Sequence, residues 1–153
     1  MKKTILVVDD EALITEMLDA GLSEMGYRVL TAPGGKAALA LLKTEAVDLV
    51  LTDVCMDDMD GLQFLETLHA EDPDRLAMVM TAHASVDNAI QAMKLGAYDY
   101  IQKPFTAQEV DHRLRKAFEH RRLLSETRFL RSQLEESDHF GSIIGRNARM
   151  KQI

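Results

Sequence analysis

The sequence predicts an α/β fold, a five-stranded parallel sheet wound on both faces by helices, with an extended C-terminal helix. Two observations carry this. Short aliphatic runs alternate with longer segments whose apolar residues recur at helical spacing, as βα units require. Acids also close two of the runs: Asp9 and Asp10 follow Ile5, Leu6, Val7 and Val8, and Asp53 follows Leu49, Val50, Leu51 and Thr52. Runs this apolar suit strands covered on both faces, where an unpaired carboxylate is costly. The acids therefore predict an open site at the strand ends with something cationic in it.

The first strand leads into a helix with Ile14, Leu18 and Leu22 on one face, joined by Met17 and Met25, and Gly26 stands where a C-terminal cap belongs. Tyr27 to Ala32 reads as the second strand. After the turn residues Pro33, Gly34 and Gly35, a helix is expected around Ala37 to Lys43, and the third strand ends at Asp53. An acidic loop runs to Gly61, and Leu62, Leu65 and Leu68 mark the third helix. Ala77 to Thr81 is the fourth strand, and Val86, Ile90 and Met93 lie on a fourth helix closed by Gly96. Tyr98 to Ile101 is the last strand. Thr106 and Glu109 have capping-box spacing at the start of the final helix, on which Val110, Leu114 and Ala117 form a stripe able to pack on the sheet.

Size and composition narrow the classes. The 153 residues suffice for one ordinary domain and a tail, and 46% hydrophobic with 28% charged residues is a soluble globular balance. No apolar run is long enough to span a bilayer, so membrane association is not expected. The apolar stretch behind Lys2 and Lys3 stops at Asp9, too soon for a signal-peptide core. A single cysteine, Cys55, allows no internal disulfide and fits a cytoplasmic location. The net charge of -7 disfavours nonspecific nucleic-acid binding by the domain.

Strands joined by single helices pair in parallel through right-handed crossovers, and the ligand site lies beyond their carboxyl ends. Asp9, Asp10, Asp53, Thr81 and Lys103 all fall at or just past predicted strand ends. Each has a plain explanation alone: a helix cap for Asp10, a strand end for Asp53, a β-former for Thr81, a solvated Lys103. Their convergence on one rim does not. Mg²⁺ takes oxygen ligands and uses one or two carboxylates with a phosphate oxygen, which three acids can supply. Sulfur suits softer ions, so Cys55 would ligate only through its backbone carbonyl. One aspartate could then attack a phosphoryl donor while Lys103 neutralises the equatorial oxygens, with Thr81 and the N–H groups of Val54 and Ala82 as further donors.

Five segments give this chemistry a family. V-V-D-D-E at Val7 to Glu11, L-T-D at Leu51 to Asp53, M-D-G at Met59 to Gly61, T-A at Thr81 and Ala82, and Y-I-Q-K-P-F at Tyr100 to Phe105 resemble a two-component response-regulator receiver domain over about the first 120 residues. The resemblance implies a flavodoxin-like sheet of order 2-1-3-4-5. It further implies Asp53 as phosphoacceptor for a sensor histidine kinase, with Mg²⁺ held by Asp10, Asp53 and the Cys55 carbonyl directly and by Asp9 through water. Thr81 and Tyr100 match the family's switch pair, Lys103 its lysine, and Pro104 the proline that follows through a cis peptide bond. Such a protein is a regulatory phosphoacceptor that promotes its own phosphotransfer and slow dephosphorylation, rather than an enzyme.

One departure is local. The family usually has a methionine-proline pair ahead of M-D-G, and here Met56 is followed by Asp57, which loosens the expected loop. Asp57, Asp58 and Asp60 either attract a cation or form a solvated loop face. His83 either touches the water that attacks the phosphoryl group or faces solvent.

The tail adds a second element. Leu123, Thr127, Leu130 and Leu134 repeat at coiled-coil spacing, which predicts a helical linker over 121-138 that pairs with a second copy, the alternative being a helix that packs on its own domain or on another segment. The basic residues Arg113, Arg115, Lys116, Arg121 and Arg122 lack interleaved aromatics and read as its solvated flank, not as a nucleic-acid surface. From His139, F-G-S-I-I-G resembles the opening of the AAA+ ATPase domain of sigma-54-dependent activators, the nitrogen-regulatory protein C-like family, so 139-153 is expected to begin a truncated ATPase domain behind a 1-120 receiver. No phosphate loop G-x-x-x-x-G-K-[ST] occurs. The expected partners are a kinase, a second copy, and downstream AAA+ and DNA-binding domains. Competing classes fit less well: aspartate-nucleophile phosphatases need D-x-D, flavodoxin-like carriers need a phosphate-cradling loop where Asp9, Asp10 and Glu11 stand, and a pure dimerisation module explains the tail but not the rim. The alternative reading is a stand-alone receiver or dimerisation module without transcription output.

Overall fold

The computed structural model describes residues 2–82 and 86–144, which fall into two compact units, Met1–Leu114 and Arg115–Ile153. His83 and residues 145–153 lie outside the described residues. Five βα units follow one another: β1 (Thr4–Val8), α1 (Ala12–Glu24), β2 (Arg28–Ala32), α2 (Gly35–Thr44), β3 (Leu49–Asp53), α3 (Gly61–Glu71), β4 (Leu76–Thr81), α4 (Val86–Lys94), β5 (Asp99–Gln102) and α5 (Ala107–Ile144).

The strands form one parallel sheet in the order β2-β1-β3-β4-β5, the expected arrangement. Every residue of β1, β3 and β4 is buried, because these central strands are covered on both faces, whereas the edge strands β2 and β5 show exposed positions. Alternate strand residues feed two cores. Leu6, Val8, Val50, Ala77 and Val79 pack with Phe64, Leu65 and Leu68 of α3, Ala38 of α2 and Ala92 of α4. The other alternates, among them Ile5, Val7, Leu49, Leu51, Met78 and Met80, are fully buried with Leu18 and Leu22 of α1 and Val110 and Leu114 of α5. Helix α1 meets the start of α5 so closely that a Cβ on Gly21 would collide with the Ala107 methyl.

Two helices end in Schellman turns. Gly26 and Gly96 adopt φ of 100° and 106°, which only glycine takes cheaply, and Tyr27 and Ala97 donate back to the Leu22 and Ala92 carbonyls at 3.1 and 3.0 Å. The Glu109 N–H donates to Thr106 Oγ1 at 3.1 Å, the first half of the capping box. Helix α2 starts two residues earlier than the sequence suggests, at Gly35, for a reason that lies across the molecule in Asp58.

In the second unit, the helix carries Leu123 and Leu130 at 48% and 58% exposure, so this part of the stripe stands uncovered in a single chain. For Thr127 and Leu134 only the helical backbone is described. The helix continues through Ile144, past the expected linker boundary at 138. No helix among the described residues is long and apolar enough to cross a membrane.

Candidate functional site

The site sits where strand order reverses, between β1 and β3, at the carboxyl edge of the sheet. Asp9 follows the last residue of β1 and is tied to the sheet by its N–H, which donates to the Ala32 carbonyl at 3.1 Å. Its side chain is buried, and Oδ1 accepts from the Glu11 N–H at 2.9 Å, turning the chain toward α1. Asp10 is exposed and does not cap α1, whose N-cap is Glu11. Asp53 ends β3 with 6% exposure, and Gly61 lets α3 start directly behind it: a Cβ there would come within 2.6 Å of the Val54 Cα.

Carboxylate oxygens of Asp9, Asp10 and Asp53 all lie within 4.8 Å of one another. Lys103 reaches the same spot from beyond β5, its N–H donating to the Thr81 carbonyl. Its ammonium donates to Asp9 Oδ2 at 2.9 Å and lies 3.5 Å from both Asp53 Oδ2 and Glu11 Oε1. Thr81 is buried at the end of β4 and Tyr100 is half-buried on β5, one strand over. The Lys103-Pro104 peptide is cis. The Val54 N–H donates to Asp53 Oδ1 at 2.8 Å, and Ala82 stands exposed just past β4. Cys55 is exposed on the loop that leaves Asp53. A cavity of about 510 Å³ opens beside these groups, lined by Asp10, Cys55, Asp57, Asp60 and, from α4, Asn88.

Three carboxylates and one lysine leave negative charge in excess. Burial pushes the Asp53 carboxyl above its ordinary 3.8 and Asp9 raises it further, against the pull of Lys103 and of the Val54 and Cys55 N–H groups. Burial also opposes the charge on Lys103, yet the hydrogen bond to Asp9 and the charges of Asp53, Asp9 and Glu11 outweigh it and hold the ammonium above its ordinary 10.5. The balance favours a further cation. All-oxygen donors at this spacing, one of them exposed to the cavity, fit a hard divalent ion.

Three roles were not visible from sequence spacing. Glu11 is a third acid facing Lys103, and only its place in V-V-D-D-E hinted at it. Asp58 accepts from the Gly35 and Lys36 N–H groups at 3.2 and 3.1 Å, and Asp60 caps α3 through the Leu62 N–H at 2.9 Å. Neither is simply part of a solvated face. The missing signal for Asp58 was negative: α2 begins at two glycines, with no Ser, Thr, Asp or Asn of its own to cap it.

The family model described as the response regulator receiver domain matches residues 5–115. Regulatory protein AtoC of Escherichia coli (strain K12) is 32% identical over 149 residues, covering 97% of this chain and 32% of the relative. Transcriptional regulatory protein ZraR of Salmonella typhimurium is 41% identical over 121 residues, covering 79% of this chain and 27% of the relative. The chain thus spans about a third of the length of such regulators. Among solved structures, NtrX from Brucella abortus superposes with a TM-score of 0.80 at 32% identity, over 85% of this chain and 30% of that one. A CheY-like receiver domain protein from Methanospirillum hungatei gives 0.75 at 29% identity, over 78% and 96%.

Proposed function

The chain belongs to the response regulator receiver domain family, and from that premise we propose that it is the phosphorylation-controlled input of a longer sigma-54-dependent transcription activator. Asp53 accepts a phosphoryl group from a sensor histidine kinase. The observation that carries this is the clustering of Asp9, Asp10 and Asp53 within 4.8 Å under the Lys103 ammonium.

In the transfer, an Asp53 carboxylate oxygen attacks phosphorus and forms an O–P bond. The P–N bond to the kinase imidazole breaks, and its electron pair leaves with the nitrogen, which solvent protonates. Asp53 must be ionised to attack, and Lys103 favours that form. Lys103 then faces the new negative charge, with the Thr81 hydroxyl and the Val54 and Ala82 N–H groups as donors to the phosphoryl oxygens. Asp10, Asp53 and the Cys55 carbonyl would hold Mg²⁺ directly and Asp9 through water. When bound, the ion supplies charge neutralisation that lets an anionic donor approach three acids.

Phosphorylation gives Thr81 and Lys103 a new partner at the ends of β4 and β5, and Tyr100 on β5 is placed to respond. Output then passes to a dimer built on Leu123, Thr127, Leu130 and Leu134, two of which are exposed in the single chain. The relatives AtoC and DctD support the longer architecture, because their similarity runs over 149 and 150 residues, beyond the receiver and into the tail. AAA+ and DNA-binding domains would follow in the full-length protein, which we place in the cytoplasm.

Intact mass after exposure to acetyl phosphate tests the acceptor. One phosphoryl adduct is expected with Mg²⁺, none with chelator and none on Asp53→Asn. Sedimentation and solution scattering with and without the phosphodonor test the switch, and an unchanged dimer geometry would refute it.

A further inference from the structure

The loop between β3 and α3 carries Cys55 and lacks the proline that usually stiffens it, since Met56 is followed by Asp57. Something else must hold it. At its far end the Gly61 N–H donates to the Val54 carbonyl at 2.7 Å, and Asp60 is committed to the first turn of α3. Between these fixed points Asp58 reaches out of its own segment. Its two oxygens accept separately from Gly35 and Lys36, the opening N–H groups of the ten-residue helix α2.

The fit is mutual. The N-cap of α2 is Gly34, which has no side chain to offer those N–H groups. A Cβ on Gly34 would lie 2.5 Å from Asp58 Oδ1, and one on Gly35 would lie 2.8 Å from Met59 Sδ. The paired glycines are the clearance that lets the loop come down onto the helix. Hydrogen bonding from the Lys36 N–H holds the Asp58 carboxyl below the usual carboxylate range against the opposing effect of desolvation, and the Gly35 N–H adds to the lowering. The carboxylate is therefore ionised wherever the domain works, and it faces the positive end of the α2 dipole.

We propose that Asp58 is a positioning residue for the cation site: by clamping the β3–α3 loop onto α2 it holds the Cys55 backbone in place beside Asp53 before any ion arrives. This rests on the Mg²⁺ role given above for Asp10, Asp53 and Cys55. A loop released from α2 must be ordered during binding, and that entropy weakens affinity without removing a ligand.

The test measures Mg²⁺ affinity by titration calorimetry on the parent, Asp58→Ala, Asp58→Asn, Gly34→Ala and the Asp58→Ala/Gly34→Ala double variant. Melting temperature and the amide resonances of Val54 and Cys55 are recorded without metal. Asp58→Ala should bind about tenfold more weakly. Gly34→Ala, which fills the carboxylate's place from the other side, should do the same, and the double variant should be no worse than either single one. Asp58→Asn, which keeps one acceptor oxygen, should recover part of the loss. The Val54 and Cys55 resonances should shift or broaden in both clamp variants before metal is added. Tyr27→Phe, remote from the loop, should lower the melting temperature and leave Mg²⁺ affinity unchanged. A parent that binds Mg²⁺ with variants that bind equally well overturns the clamp alone, even if they melt earlier. A parent that binds no Mg²⁺ overturns the clamp together with the metal site on which it rests.

Discussion

Asp53→Asn should stabilise the metal-free protein, because the native carboxylate is buried in a cluster with too little positive charge. At an effective dielectric constant of about 20, Lys103 at 3.5 Å attracts Asp53 by about 5 kcal/mol, and a carboxylate within 4.8 Å repels it by at least about 3 kcal/mol. Two such carboxylates face it, one of them exposed Asp10, whose repulsion solvent weakens. After that discount, attraction and repulsion nearly cancel, and the desolvation of a residue only 6% exposed is left uncompensated. Asn keeps the shape and removes the charge. The expected gain is about 1–2 kcal/mol. For a domain of this size it corresponds to about 3–8 °C in Tm.

The sign follows from linkage. The folded Asp53 has a higher pKa than the unfolded one, so the fold favours its protonated form, and the parent loses stability as pH rises from 3.8 through the folded value. The advantage of Asn is complete above that window and vanishes below 3.8, where both states of the parent are protonated. Urea unfolding followed by circular dichroism, in chelator and across pH, reads this directly. Mg²⁺ at about a hundredfold excess over its Kd should then add about 2.7 kcal/mol to the parent and little to the variant, reversing their order. A variant less stable than the parent at neutral pH in chelator would refute the charge imbalance.

Lys103→Met leaves Asp9 and Asp53 buried without their cation and should cost about 3 kcal/mol in urea unfolding. Gly61→Ala forces a methyl against the Asp53 and Val54 backbone and should lower stability by about 3 kcal/mol and weaken Mg²⁺ binding in the same titration. Tyr27→Phe removes the 2.6 Å hydrogen bond to Asp111 and should cost about 1.5 kcal/mol by thermal melting.

What the sequence discloses and what it conceals divide by range. The apolar runs at β1, β3 and β4 and the acids that end them are local patterns, and so are the glycines at 26 and 96, whose φ values meet a need set within one turn. The sheet order needed the family resemblance, since five similar βα units do not state which strands are neighbours. Long-range pairings were illegible. Nothing near Gly34 says that Asp58 caps α2, so the sequence places the helix start two residues late and reads the acids of that loop either as attracting a cation or as a solvated face. Glu11 was similarly hidden, because its partner Lys103 is 92 residues away.

On the function proposed above, the Asp9, Asp10, Asp53 and Lys103 cluster makes Asp53 a phosphoacceptor. Reductive trapping addresses it most directly: after incubation with acetyl phosphate and Mg²⁺, borohydride cleaves the acyl phosphate to homoserine, and tandem mass spectrometry of the peptides locates the conversion. Homoserine at position 53, absent when chelator replaces Mg²⁺, is the expected result. Conversion at Asp57, Asp58 or Asp60 instead, or conversion at position 53 that does not depend on Mg²⁺, would contradict Mg²⁺-dependent phosphorylation of Asp53.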